Sequence, residues 1–310
     1  MADISRSEVS TLIQEAYGGD LLGAAAEESA VLSAFRTVDM GTKTTNLPVL
    51  ATIPEADWVA ESATDSNGVK PTAQVTWGNK QLVAEEIAVI IPVHENVIDD
   101  ATTDILAEIA RQGGAAIGRK LDAAVIFGDD KPVSWTSDDL LAAAVAASQT
   151  IAVSTGEDDL AGSIFQAAGF VDEAGYDPTT VLAARGMRYR LANIRAGASD
   201  ATPVFLPSLS SMPGSVDTIA GLDAAWVSGR VWDRNSAEAI VVDRDRVIIG
   251  VRQDITVKFL DQATVGGINL AERDMVALRF KARYAYVLGT GPTSEGNTES
   301  PVGAVLPVAS

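Results

Sequence analysis

Cysteine is absent from this 310-residue sequence, which excludes disulfides, thiolate catalysis and cysteine-ligated metal sites. Histidine occurs once, at His94, so no two-histidine metal site can form and any Ser–His–Asp arrangement must run through that residue. No Gly-x-Ser-x-Gly nucleophile elbow occurs. Positive charge is scarce: 23 Lys and Arg stand against 42 Asp and Glu, a net charge of −19. A nucleic-acid reader shows a basic face, and here contact with DNA or an anionic membrane is expected to be weak or repulsive. No apolar run approaches the ~18 residues of a membrane span. The opening MADISRSEVSTLIQEAYGGD lacks the apolar core of a signal peptide, so a soluble chain made inside the cell is expected. What the sequence does have is 47% hydrophobic and 21% charged residues, enough for a sizeable core in one large domain or two ordinary ones.

The organising stretch runs from Asn96 to Phe127 and reads as one long helix. Ile98, Ala101, Ile105, Ile109, Ala116, Ile117, Leu121, Ala124 and Val125 recur at spacings of three and four, while Glu108, Arg111, Arg119 and Lys120 fall mostly off that stripe. Asp99, Asp100 and Asp104 crowd the N-terminal end, where the helix dipole favours anions, and Gly128 supplies a C-terminal stop. Such a rod is roughly 45 Å long, more a beam for other elements than the core of a compact domain. The glycines of RQGGAAIGRK are mid-helix and predict a close crossing or a bend. They are no phosphate loop, since no Lys-Ser/Thr follows.

Before the beam, residues 1 to about 38 read as two short helical pieces that pack on something else. From Thr44 to Pro92 the pattern is a long two-armed hairpin. TTNLPVLATI goes out, a polar tip from Glu61 to Pro71 carries the Asn67-Gly68 turn, and QLVAEEIAVIIPV returns. A lone hairpin is marginal in water, so it is expected to lie on another surface, its own chain's or a neighbour's. After the beam, Ser137–Val153 and Glu157–Gly175 read as helices. A short strand at Thr180–Ala183 leads into a helix with Arg185, Arg188, Arg190 and Arg195. Strands then follow through TIAGLDAAWVSGRVW, AEAIVVDRDRVIIGVRQ, DITVKFLDQA and DMVALRFKARYAYVLG. The tail GPTSEGNTESPVGAVLPVAS is linker-like by composition.

Catalytic readings find little support. His94 has Glu95 beside it and Asp99 and Asp100 nearby, which would suit a general base in an acidic hydrolase, but the other members of a catalytic set are missing. Glu85 and Glu86 are strand neighbours and point to opposite faces. The Asp129-Asp130, Asp138-Asp139 and Asp158-Asp159 pairs sit at expected helix starts, where capping explains them. The arginine cluster suits a solvated helix face or ion pairs with a neighbouring subunit's acids better than nucleic acid.

The order of these parts resembles the major capsid protein of tailed bacteriophages, the Hong Kong 97-type fold. Four stretches carry the resemblance, between Thr44 and Leu288. IPEADWVAES is similar to the opening of the family's extended loop. The run from QLVAEEIAVIIPVHENV through KLDAAVIFGDD is similar to its strand and spine helix with a Gly-Asp ending. TIAGLDAAWVSG resembles a Leu-Gly-x-Pro-Val strand, with Asp223-Ala224 in place of the proline. VVDRDRVIIGVRQDITVKFL with DMVALRFKARYAYVL resembles the closing strands.

The resemblance implies an α+β chain of five parts: an N-terminal arm at 1–43, an extended β-hairpin loop at 44–92, a peripheral domain at 93–134 and 241–290 with its spine helix at 97–127, an axial domain at 135–240, and a tail at 291–310. It implies self-assembly as hexamers and pentamers into an icosahedral head around double-stranded DNA. Scaffolding and portal proteins are implied partners, with a decoration protein as a further candidate. DNA would be enclosed without specific binding, and no membrane contact, cofactor, metal or catalytic residue is implied. The protein would be found in the virion, and in the host cytoplasm during assembly. With the loop starting near residue 44, there is no room for a long N-terminal scaffolding segment. The hairpin would cover a neighbour with Leu47, Val49, Leu50, Trp58, Val75 and Trp77, and the implied subunit-contact residues are Trp58, Glu61, Lys70, Trp77, Arg185 and Arg188. Some members weld subunits through a Lys–Asn isopeptide bond. Lys70, Lys80 and Asn269 are the nearest counterparts here, although loop lysines are normally just solvated. An encapsulin-like compartment shell is the alternative in the same fold, and the His94 hydrolase the alternative of a different class.

Overall fold

The computed structural model describes residues 29–50, 77–99, 105–153, 160–192, 218–219, 221–291 and 299–308. In chain order the elements are α1 (Ala30–Ala34), β1 (Arg36–Asp39), β2 (Thr44–Leu50), β3 (Trp77–Val83), β4 (Glu85–His94), α2 (Glu95–Asp99), α3 (Ile105–Ile126), α4 (Leu140–Ala146), β5 (Thr150–Ala152), α5 (Leu160–Glu173), β6 (Thr180–Ala184), α6 (Met187–Ala192), β7 (Thr218–Ile219), β8 (Leu222–Val227), β9 (Ala239–Val242), β10 (Val247–Leu260), β11 (Thr264–Val265), β12 (Ile268–Asn269), β13 (Met275–Leu288) and β14 (Val302–Leu306).

Two sheets divide the work. A four-stranded sheet has the order β1-β10-β13-β4, with β1 parallel to β10 and the other pairs antiparallel. The alternation along β13 puts Leu278, Phe280, Ala282, Tyr284 and Tyr286 on one face, where they meet Ile117, Leu121, Ala124 and Val125 of α3 in one buried cluster. Each large apolar side chain buried there contributes ~1.5–3 kcal/mol. A six-stranded sheet has the order β5-β14-β9-β6-β8-β7. Its central strands β6 and β9 read TVLAA and AIVV and are buried almost throughout, the continuous apolar pattern of strands covered on both faces.

Gly113 is where α3 crosses β13. A Cβ added there would stand 2.7 Å from the Phe280 ring, so the mid-helix glycine marks a close crossing. Gly113→Ala is therefore expected to lower stability by ~1–3 kcal/mol through overpacking, despite alanine's better helix propensity. Thermal unfolding checks this, and trimming the ring in Gly113→Ala/Phe280→Leu should recover part of the loss. An unchanged midpoint in the single variant would show that the crossing has slack.

Several sequence expectations need correction. The span 96–127 expected as one helix is helical in α2 and α3 on either side of 100–104, which lie outside the described residues, and α3 alone is ~33 Å long. Only the middle of Ser137–Val153 is helical. Ser148 takes a positive φ of 57° and turns the chain, so the Thr150–Ala152 end becomes β5. The boundary placed at 92 falls inside β4, which belongs to the four-stranded sheet rather than to the hairpin. The expected axial limits of 135–240 cut β9 short, since it runs to Val242. The tail expected at 291–310 is built into the fold where it is described: β14 lies between β5 and β9 in the six-stranded sheet, and Val302, Ala304 and Val305 are fully buried.

Candidate assembly surfaces

The hairpin is real at its base. β2 and β3 pair antiparallel from Thr44 opposite Val83 to Leu50 opposite Trp77, and residues 51–76 lie outside the described residues. Its root packs on the face of the four-stranded sheet opposite α3, where Leu82 joins Met40, Ala84, Ala285 and Val287. Farther out, Trp77 is 69% exposed, an unusual cost for so large an apolar ring unless something covers it. Trp58, Glu61 and Lys70 fall in the undescribed stretch.

Lys80 is committed within its own chain. Its Nζ donates to the Leu288 carbonyl at 2.6 Å and to Thr290 Oγ1. Burial pushes its pKa below the usual lysine range, partly offset by the nearby Asp138 carboxylate. It lines a cleft of about 490 Å3 with Gln81, Ser137 and Ser300. Asn269 is on the short strand β12.

The arginine cluster separates into distinct roles. Arg190 is held by Glu238, 2.6 Å away and with both side chains largely buried, and Arg234 approaches the same carboxylate. Arg185, following β6, and Arg188, in α6, instead line a second cleft of about 490 Å3 with Arg244, Asp223, Thr180 and Trp226. The Arg188 guanidinium lies 4.9 Å from the Tyr189 ring centroid, within cation–π range. Arg195 is outside the described residues.

Asp122 escaped the sequence reading. It is a carboxylate inside the apolar stripe of α3, fully buried, and it accepts from Ser29 Oγ at 2.6 Å, Ala30 N at 3.0 Å and Val31 N at 3.2 Å. It satisfies the opening amides of α1 and so ties the N-terminal segment to the long helix. The signal was present in KLDAAV: an acid flanked by Leu121 and Ala124, at a depth where only a partner can justify it.

Four further acids have structural contacts, and Asp158 and Asp159 lie outside the described residues. Asp139 caps α4 by accepting from Ala142 N. Asp130 binds Lys120 in a turn instead of starting a helix, and that contact holds its carboxyl below the usual range. Glu85 accepts from Ser134 while Glu86, on the opposite face, pairs with Lys281 at 2.6 Å. His94 is exposed at the end of β4, opposite Met275. Among the described residues no group of three or more metal-ligating side chains occurs, and no helix is long and apolar enough to cross a membrane.

Comparison with known proteins places this arrangement. A family model described as the phage capsid family matches residues 10–289. A solved structure from Mycobacterium phage Bobi is 59% identical over the whole of both chains, with a TM-score of 0.80. One from Mycobacterium phage Adephagia is 55% identical over 100% of this chain and 99% of that one, at 0.81. The capsid of a native GTA particle, 15% identical over 92% of this chain and 90% of that one, shares the fold at 0.61. No curated protein matches.

Proposed function

The chain belongs to the phage capsid family and is a major capsid protein of the Hong Kong 97-type fold, a structural component of the virion that associates with itself; from there we propose that it assembles as hexamers and pentamers into an icosahedral head around double-stranded DNA. The observation that best supports this reading is the full-length likeness to the Bobi structure. The subunit's own shape agrees. A hairpin ribbon leaves the four-stranded sheet and ends, among the described residues, on an exposed tryptophan, as suits a surface completed by a neighbour.

In this reading the sheet of β1, β10, β13 and β4 with α3 is the peripheral unit, and the six-stranded sheet is the axial unit. Trp58, Glu61, Lys70, Trp77, Arg185 and Arg188 contact neighbouring subunits. The two arginines offer their cleft to carboxylates of an adjacent copy. Scaffolding and portal proteins are partners, a decoration protein is a further candidate, and assembly takes place in the host cytoplasm. The enclosed DNA is held by confinement, which the net charge of −19 favours over adhesion. The protein carries no catalysis of its own, as suits a member of a structural capsid family.

Negative-stain microscopy with light scattering, at moderate and high salt, tests the proposal. Closed shells, or five- and six-membered rings, are expected. A cooperative, stable monomer of 32.3 kDa at every salt concentration would overturn it.

A further inference from the structure

The cleft bearing Arg185 and Arg188 is built from parts far apart in the chain. Arg185 follows β6, Arg188 sits in α6, Arg244 follows β9, and Ser33 and Ala34 of α1 close one side. Three guanidinium groups thus line a space to which the described residues bring one carboxylate, Asp223, approached by Arg244 at 3.6 Å. In a subunit of net charge −19 this is a local excess of positive charge, and a guanidinium takes a carboxylate through two parallel hydrogen bonds.

The N-terminal segment brings acids to the rim of that cleft. Asp122 accepts from Ser29 Oγ and from the amides of Ala30 and Val31, which fixes the point where the segment meets the body of the chain. Ser33, on the cleft wall, is one helical turn beyond Ser29, ~6 Å along α1. The two residues before Ser29 are Glu27 and Glu28, each adding at most ~3.6 Å of chain. From Ser7 to Phe35 the sequence has Glu8, Glu15, Asp20, Glu27 and Glu28 and no Lys or Arg, so no basic neighbour within that stretch competes for them. A carboxylate on so short a tether meets the cleft at an effective concentration on the order of millimolar, which favours it over the acids of a second copy in dilute solution. In a growing lattice the order reverses, because a neighbour's acids arrive together with many other contacts.

We infer that Glu27 and Glu28 occupy the cleft of Arg185, Arg188 and Arg244 in their own chain before assembly, an autoinhibitory contact that a neighbour's carboxylates must displace. The inference rests on the shell reading and adds to it a restraint on when subunits join.

Paired cysteines test the contact without background, because the chain has none of its own. A disulfide closes only where two Cα atoms come within ~7 Å. Full-length Glu28→Cys/Asp223→Cys keeps all three arginines. Mild oxidation of its unassembled subunits, held apart at low ionic strength by their net charge of −19, is expected to close the bond within one chain, read as a faster-migrating monomer on a non-reducing gel. Raising the salt should then give at least ~tenfold fewer shells from oxidised than from reduced subunits, and a reductant should restore the yield. Without any disulfide, Glu27→Gln/Glu28→Gln is expected to assemble ~tenfold faster than wild type at equal protein concentration. Circular dichroism melting establishes that each variant is folded. A disulfide that forms only between chains, or not at all in the folded protein, would overturn the inference, and so would a Glu27→Gln/Glu28→Gln chain that assembles no faster than wild type. A wild type that forms no shell at any salt, beside an intramolecular disulfide in the cysteine variant, would instead count against the shell reading and leave the contact standing.

Discussion

Ending the chain after Glu299 is expected to abolish the cooperative melting of the six-stranded sheet and leave the protein largely insoluble. The deleted residues include β14, which pairs parallel with β5 and antiparallel with β9, so its loss splits the sheet at an interior position. The backbone links that vanish include Val153 N to Leu306 O at 3.0 Å, Glu238 N to Val305 O at 2.8 Å, Asp243 N to Pro301 O at 3.0 Å and Ala304 N to Gln149 O at 2.9 Å. Buried amides and carbonyls without partners cost ~1–3 kcal/mol each, and the lost burial of Val302 and Val305 adds ~1.5–3 kcal/mol apiece. That sum rivals the ~5–15 kcal/mol that holds a whole domain folded.

A point change probes the same strand. A Cβ on Gly303 would stand 2.5 Å from the Ala167 carbonyl oxygen in α5, and rigid helix backbone cannot step aside as a side chain can. Gly303→Ala is thus expected to cost ~2–4 kcal/mol, as forced overpacking does. Circular dichroism melts and sedimentation read both changes. A soluble shortened chain with the wild-type midpoint would show that β14 only decorates the sheet.

Replacing Asp122 by alanine is expected to cost ~3–5 kcal/mol, as removal of one partner from a buried charged network does. Three donors converge on that carboxylate, two of them amides at the start of α1, and all are shielded from water by the packing of α1 against α3. Asp122→Asn keeps one acceptor oxygen and the side-chain volume, and should recover part of the loss. Hydrogen exchange gives the sharper reading, because Ala30 and Val31 amides should lose protection well before the amides of β13. Equal protection of both amides in wild type and Asp122→Ala would mean that another group holds α1.

Much of the architecture was legible because it follows from periodicity. The apolar stripe predicted α3, the apolar run DMVALRFKARYAYVLG predicted the strand β13, and Asn67-Gly68 between two apolar arms predicted the hairpin whose base is β2 and β3. The glycine run in α3 even announced the crossing at Gly113. The failures share a cause, which is pairing at long range. PVGAVLPVAS has the composition of a linker, and nothing in it reveals that β5 and β9 stand ready on either side. Thr150–Ala152 looked helical because it continues an alanine-rich run, yet the turn at Ser148 and partners from β14 override local propensity. Of the implied contact residues, sequence pattern could say that Trp77 lies on the hairpin, and only the fold could leave it exposed. The alternating Arg279, Lys281 and Arg283 of β13 stayed hidden inside the totals, since a net charge of −19 averages over local groups of the opposite sign.

The placement of β14 also sets a clock. The four-stranded sheet has all its strands once Leu288 has been synthesised, so it can close early around α3. The six-stranded sheet waits for β14, which follows Leu288 in the chain, and until it arrives the facing edges of β5 and β9 stand apart as open strand edges. The two sheets therefore close in order, the four-stranded one first and the six-stranded one only after β14 has been added.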